Sequence, residues 1–281
     1  MRRTISVLKR IFFFFIVVLF LFTGFNFVYP DVSELKDKNP EKTAMMAHRE
    51  KEWKRDGKTY RINQKWVPLR AVSPYVIKAV LIAEDDKFWS HEGFDYKAIQ
   101  KAIQTDIREK KFKAGGSTIS QQVAKNLYLS PSKTPLRKIR EAIITWRMEK
   151  VLSKKRILEI YLNVAEWGDR GVFGIEAAAK MYYGKAALQL GPDEAARLVS
   201  VLPNPRKFNP LRDSKYVVNR SNLIYSIMVK RGIVIPEFEE VMEVSSVEED
   251  SGTLADPALA EPALILEEVK PSEPEKGEAD L

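Results

Sequence analysis

The first residue with chemical potential is a glutamate on the apolar stripe of a helix. In SPYVIKAVLIAEDD, Ile77, Val80, Leu81 and Glu84 fall at i, i+3, i+4 and i+7, so Glu84 extends the stripe that faces a core. Burial disfavours the charged carboxylate and raises its pKa, the tuning a general base or acid requires. Taken alone, a glutamate in such a place is more often the buried partner of a local Arg or Lys. A second segment, GGSTISQQVAKN (115–126), sets Thr118 and Gln121 at capping-box spacing. A glycine pair thus leads into a helix whose free N–H groups can receive an anion, with Lys125 one turn beyond Gln121. By itself this is equally a loop ending in a helix cap.

A third segment, KTPLRKIREAIITWRMEKVL (133–152), surrounds Glu141 with Lys133, Arg137, Lys138 and Arg140. Ile139, Ile143 and Trp146 are expected to form its apolar stripe, and Arg137 and Glu141 to stack at i and i+4. A merely solvated helical face has the same composition. In the fourth segment, KKRILEIYLNVAEWG, Ile157, Tyr161 and Val164 mark an inner stripe, and its role reads as structural. The chain has no cysteine, and its two histidines, His48 and His91, lie far apart without metal-ligand spacing. Thiol chemistry and a zinc hydrolase are thereby disfavoured, leaving carboxylates or hydroxyls to carry catalysis.

The elements that must position these groups read as mainly helical. Ser73-Pro74 is an N-cap and first-turn pair for a helix through Asp85, Gly191-Pro192 opens another, and Ser214 to Arg231 closes at Gly232. Tyr60 to Leu69 alternates weakly, as a short strand or hairpin would. Residues 11–29, IFFFFIVVLFLFTGFNFVY, read as a transmembrane anchor, with Arg2, Arg3, Lys9 and Arg10 keeping residues 1–10 cytoplasmic and the remainder exported. Residues 30–65 then form a juxtamembrane linker and 66–236 a single catalytic domain. Residues 237–281 carry fifteen acidic side chains against Lys270 and Lys276, a net −13 that leaves +21 on the rest. Such a Pro-, Ala- and Glu-rich tail is expected to be disordered. The basic remainder suits an anionic partner; on the exported side of a membrane a phosphate-bearing lipid is favoured over nucleic acid, although charge alone does not choose between them. Between the first two segments, Ile99, Ile103 and Ile107 lie on one stripe rimmed by lysines and arginines, which fits a helix lying among lipid headgroups or one packed on a core.

In order and spacing, AEDDKFWSHEGFD, GGSTISQQVAKN, RKIRE, RILEIYLNVAEWG, GIEAAAKMYYGK and LPNPRKFNP resemble the peptidoglycan glycosyltransferases of family 51, in particular their monofunctional members from Gram-negative bacteria. The likeness runs from about Trp66 to Leu211. It implies a lysozyme-like helical domain with a smaller membrane-proximal lobe, in a single-pass inner-membrane protein with its catalytic domain in the periplasm. The implied activity is polymerisation of lipid II into β-1,4-linked glycan with inversion and release of undecaprenyl diphosphate. By motif position Glu84 is the general base and Glu141 the second carboxylate. Lys125, Lys133 and Arg140 meet the diphosphate, while Ser117, Thr118, Gln121, Gln122 and Asn126 line the site. Lys133 stands where relatives often carry arginine, which keeps charge but loses bidentate geometry. Asp85, Phe88 and His91 are expected to support the first motif's shape. A divalent cation, Mg or Mn, at the diphosphate is compatible with the resemblance but not required by it. The implied partners are lipid II, the growing strand, the membrane and other cell-wall synthesis proteins. A lysozyme-like glycan-cleaving enzyme and a non-catalytic scaffold remain as alternatives. Ser130 to Lys133 reads SPSK, formally the Ser-x-x-Lys of penicillin-binding transpeptidases, but the downstream elements of that chemistry are missing and no β-lactam acylation is expected.

Overall fold

The computed structural model describes residues 2–109, 116–132 and 134–234. The described helices are α1 (Arg2–Val28), α2 (Ala44–Arg55), α3 (Pro74–Glu84), α4 (Tyr96–Glu109), α5 (Ile119–Tyr128), α6 (Pro135–Val151), α7 (Lys154–Val164), α8 (Ile175–Tyr183), α9 (Pro192–Ser200) and α10 (Lys215–Lys230). Two two-residue strands, β1 (Asn63–Gln64) and β2 (Val172–Phe173), pair in parallel. The mainly helical class expected from the sequence is therefore present. The acidic tail, 237–281, lies outside the described residues.

Most helices begin where their caps dictate. Ser73, Thr118, Thr134, Ser153 and Ser214 each accept a backbone N–H from the first turn of α3, α5, α6, α7 and α10, a contact worth about 1 kcal/mol apiece. Gly232, at φ 64°, ends the last helix as its sequence position anticipates. α3 packs on α9 and α10, and α5 packs on α6 and α7. Ile157, Tyr161 and Val164 are fully buried on the inner stripe of α7.

α6 departs from its expected orientation. Its buried residues are Glu141, Ile144, Thr145 and Met148, whereas Ile139 and Trp146 are exposed. Trp146 instead meets α1: Phe27 and Trp146 pack edge to face at 5.9 Å, and the Arg147 guanidinium donates to the Val28 carbonyl at 3.0 Å. The core side can hold Glu141 and Thr145 because both are satisfied internally, Thr145 through its hydroxyl to the Glu141 carbonyl at 2.7 Å.

The anchor expected over 11–29 is corrected. Among the described residues no helix is long and apolar enough to cross a membrane, and the single-pass inner-membrane placement that depended on it falls with it. α1 has 27 residues, but its unbroken apolar run, Ile11 to Phe22, covers only about 18 Å at 1.5 Å per residue, against a hydrocarbon core of roughly 30 Å. Thr23, Gly24 and Asn26 follow, and the last turn is engaged by α6. The amphipathic helix expected after the first motif forms as α4, while side chains at 103 and 106–115 lie outside the described set.

One buried side chain joins the segment before α3 to α7. Asn163 accepts from the Val67 N–H at 2.9 Å and donates to the carbonyls of Val67 and Glu159 at 2.9 and 2.8 Å. Asn163→Ala leaves two Val67 groups buried without partners. It should cost about 2–3 kcal/mol of unfolding free energy, read from urea denaturation with an unchanged slope.

Candidate active site

Glu84 is the last residue of α3, and the helix breaks at Asp85, whose φ of −165° and ψ of 76° are non-helical. A carboxylate at a helix C-terminus faces the negative end of the macrodipole, which disfavours its charged form. The Asp85 carboxylate accepts the Ile119 N–H at 2.9 Å and contacts His91 Nε2 at 2.9 and 3.1 Å. His91 Nδ1 accepts the Gly93 N–H at 3.1 Å, so Nε2 carries the proton and donates to Asp85. The Thr118 hydroxyl donates to the Gly93 carbonyl at 2.7 Å. Phe88 is fully buried inside this loop, with the Lys154 ammonium 4.7 Å from its ring centre. Lys154 also pairs with Glu149 at 2.8 Å, and Glu149 accepts the Ser120 hydroxyl.

Glu84 thereby stands at the edge of a 220 Å³ cavity walled by the 82–87 turn, Asp95, Ala98 and residues 116–118. Its side chain is 13% exposed. Gln122 donates to Oε2 at 3.0 Å, and Arg220 of α10 approaches Oε1 at 3.4 Å and the Ala83 carbonyl at 3.3 Å. Burial pushes the Glu84 carboxyl above the usual range, and the Gln122 hydrogen bond and the charges of Arg220 and Lys125 only partly offset it. The sequence reading of a desolvated glutamate agrees with this environment, although the buried stripe of α3 is centred on Val76, Ala79 and Val80.

The basic groups gather on the neighbouring helices. Glu141, 3% exposed, accepts from Arg137 Nη1 at 2.7 Å with one oxygen and pairs with Lys138 through the other. Lys138 also reaches the Ser117 hydroxyl at 3.4 Å, connecting α6 to the turn before α5. Burial lowers the Lys125 ammonium against the pull of Glu141 and Glu84, and among the described residues Lys125 makes no ion pair. Arg140 is half-buried on the same helix as Glu141. Among the described residues no group of three or more acidic or histidine side chains could hold a metal. With both Glu141 oxygens taken by cations, the divalent ion compatible with the resemblance finds no protein donor set there.

The sequence-derived residues are thus unequally placed. Gln122 touches Glu84, and Lys125 lies near enough for its charge to act on it. Thr118 and Gln121 form the anticipated reciprocal cap, which engages the Thr118 hydroxyl and the Gln121 amide oxygen, the latter accepting the Thr118 N–H at 3.0 Å. Asn126 is buried, and Lys133 lies outside the described residues. Sequence reasoning missed Arg220. Its one available signal was an arginine flanking the buried stripe Val217, Ser221, Ile224, Met228 of α10.

The family model described as Transglycosylase matches residues 51–229. A biosynthetic peptidoglycan transglycosylase of Dechloromonas aromatica (strain RCB) is 48% identical over 190 residues, covering 68% of this chain and 82% of its own. One from Nitrosospira multiformis is 42% identical over 224 residues, 80% and 96% of the two chains, and one from Azoarcus sp. (strain BH72) is 49% identical over 181 residues, 64% and 78%. With the match extending from α2 to α10 and enclosing every side chain of the cavity around Glu84, the chain belongs to the transglycosylase family and is a peptidoglycan glycosyltransferase, a lipid II polymerase.

Proposed function

We propose that Glu84 is the general base of this polymerisation. The acceptor's N-acetylglucosamine 4-hydroxyl attacks C1 of the donor's N-acetylmuramic acid as its proton passes to the Glu84 carboxylate. The bond from C1 to the undecaprenyl diphosphate oxygen breaks on the opposite face. Attack opposite the departing group inverts the anomeric centre and leaves a β-1,4 link. The observation that carries this reading is the desolvated Glu84 carboxylate held between Gln122 and Arg220 at the edge of an open cavity. A base needs a raised pKa but must still be ionised to act. Burial supplies the first requirement, and Arg220 with Lys125 the second.

The leaving diphosphate gains negative charge as its bond breaks and needs cations already in place. Lys125, without an ion pair among the described residues, is the group we assign to it, and by motif position Arg140 and Lys133 are assigned to it as well. Glu141 acts on this side as a positioning residue: its two oxygens hold Arg137 and Lys138 and fix the basic face. Ser117, reached by Lys138, belongs to the same edge. The lipid carried by both substrates makes the membrane surface the setting of the reaction.

Glu84→Gln should lower kcat for polymerisation of labelled lipid II by about 10²-fold or more while leaving lipid II binding within a few-fold. Breakdown of preformed glycan by the wild type, with no polymer formed, would refute the reading in favour of a glycan-cleaving enzyme. Arg220 sets a second, independent outcome. Removing its charge raises the Glu84 pKa further, so Arg220→Met should move the acid limb of the kcat/KM profile to higher pH, and Arg220→Lys should return part of the shift. An acid limb unmoved by either change would separate Arg220 from the base.

A further inference from the structure

A second cavity, of 320 Å³, shares no lining residue with the Glu84 cleft. Its walls come from the turn after α7 (Asp169 and Arg170), from α8 (Met181 and Tyr182) and from the proline-limited loop between α9 and α10. That loop joins the two helices that brace α3, the helix ending at Glu84. Four cations line the cavity against the single carboxylate of Asp169. Arg206 is already neutralised, its Nη1 3.2 Å from both oxygens of Glu52, which Arg49 also holds at 2.9 Å. Arg170, Lys207 and Arg212 make no ion pair among the described residues. Among the described residues the cavity therefore keeps an uncompensated positive charge.

One wall of the cavity is the tight turn 168–171, closed by the Trp167 N–H donating to the Val172 carbonyl at 2.9 Å. Arg170 is the only non-glycine residue at positive φ among the described residues, at 60°. An L-residue with this side chain costs roughly 1–2 kcal/mol there, and glycine or asparagine would relieve it. Strain of this kind persists where the surrounding structure fixes it, and it clusters at ligand sites. The Arg170 guanidinium stands 5.9 Å over the Tyr60 ring, not in an ion pair. On the other wall the Tyr182 hydroxyl lies against Gly168, where an added Cβ would come within 2.0 Å of it. Burial, with the Asp169 charge, raises the Tyr182 pKa, so it remains a neutral donor. Phe208, stacked on Tyr216 at 4.1 Å, and Met181 supply apolar surface beside the cations.

We propose that this cavity binds a carboxylate of the peptide stem carried by the glycan precursor. The inference rests on the polymerase reading for the identity of the peptide, and on the cavity alone for its charge preference. Stem peptides combine carboxylates with small apolar side chains along an extended chain. The cavity sets cations beside an aromatic and thioether wall in the same way. The diphosphate is the other anion of the substrate, but its partners are the basic groups on α5 and α6, none of which lines this cavity.

The test is calorimetry on the full chain with three soluble probes: a disaccharide-pentapeptide without lipid or diphosphate, the same disaccharide without peptide, and inorganic diphosphate. Lys207→Ala/Arg212→Ala should weaken the peptide-bearing probe at least tenfold and leave the other two unchanged. Arg170→Gly should weaken the same probe while its Tm holds or rises, an outcome that a purely structural arginine would not give. Glu84→Gln should bind the probe as the wild type does, so failure of the base assignment and failure of this site are read separately. In turnover the double variant should raise KM for lipid II several-fold with kcat within twofold, and the difference should vanish on a precursor without its peptide. Equal binding of the peptide probe by wild type and double variant overturns the proposal. Loss of diphosphate binding to the same extent also overturns it, by assigning the cavity to phosphate.

Discussion

Asp85 accepts the first backbone N–H of α5 and the proton of His91 with one carboxylate, and the geometry of the whole site depends on this junction. It fastens the C-terminus of one helix to the N-terminus of another, so Glu84 and Gln122 face each other without depending on a flexible loop. The charge is well matched to its place. An anion at the start of α5 meets the positive end of that helix, whereas Glu84, one residue earlier, meets the negative end of α3. Of these two adjacent carboxylates, Asp85 is spent on joining the helices, and Glu84 is left at the cavity.

Around this junction the polar groups are arranged in layers of decreasing freedom. Glu149 is tied to Ser120 and Lys154 beneath the loop, and Glu141 to Arg137 and Lys138 beside it. Lys125 is left with its charge uncommitted among these acids and bases. A farther network, Glu166 to Arg49 to Glu52 to Arg206, ties α2 to the turns after α7 and α9. In it burial pushes Glu52 upward, but the hydrogen bonds of Arg49 and Arg206 outweigh that and leave it below its usual range. Part-buried pairs of this kind offset their attraction with desolvation, so their net contribution to stability is small.

Local signals were legible in the sequence and distant ones were not. Ser73-Pro74, the Thr118 and Gln121 cap and Gly232 define helix ends through contacts a few residues apart, and the structure has each of them. Glu84 was legible because its position on α3 already predicted desolvation. The face of α6 was misread because hydrophobicity alone cannot distinguish a core from a neighbouring helix. Ile139 and Trp146 point outward, while Glu141 and Thr145 turn inward with internal partners. The apolar run of α1 misled for a related reason, since a count that included Thr23, Gly24 and Asn26 overstated its unbroken length. Arg220 approaches Glu84 across 136 residues of chain, and no local spacing encodes that meeting.

The segment from Asp85 to Gly93 starts and finishes on the same turn of α5, through Ile119 at one end and Thr118 at the other. It is a closed ring of chain fastened at both ends, with Phe88 filling its centre. Such a clasp has a fixed circumference. Extra residues can be accommodated at the exposed crest near Ser90, but none at either fastening, where a one-residue change would draw the adjoining helix out of register and carry Glu84 away with it.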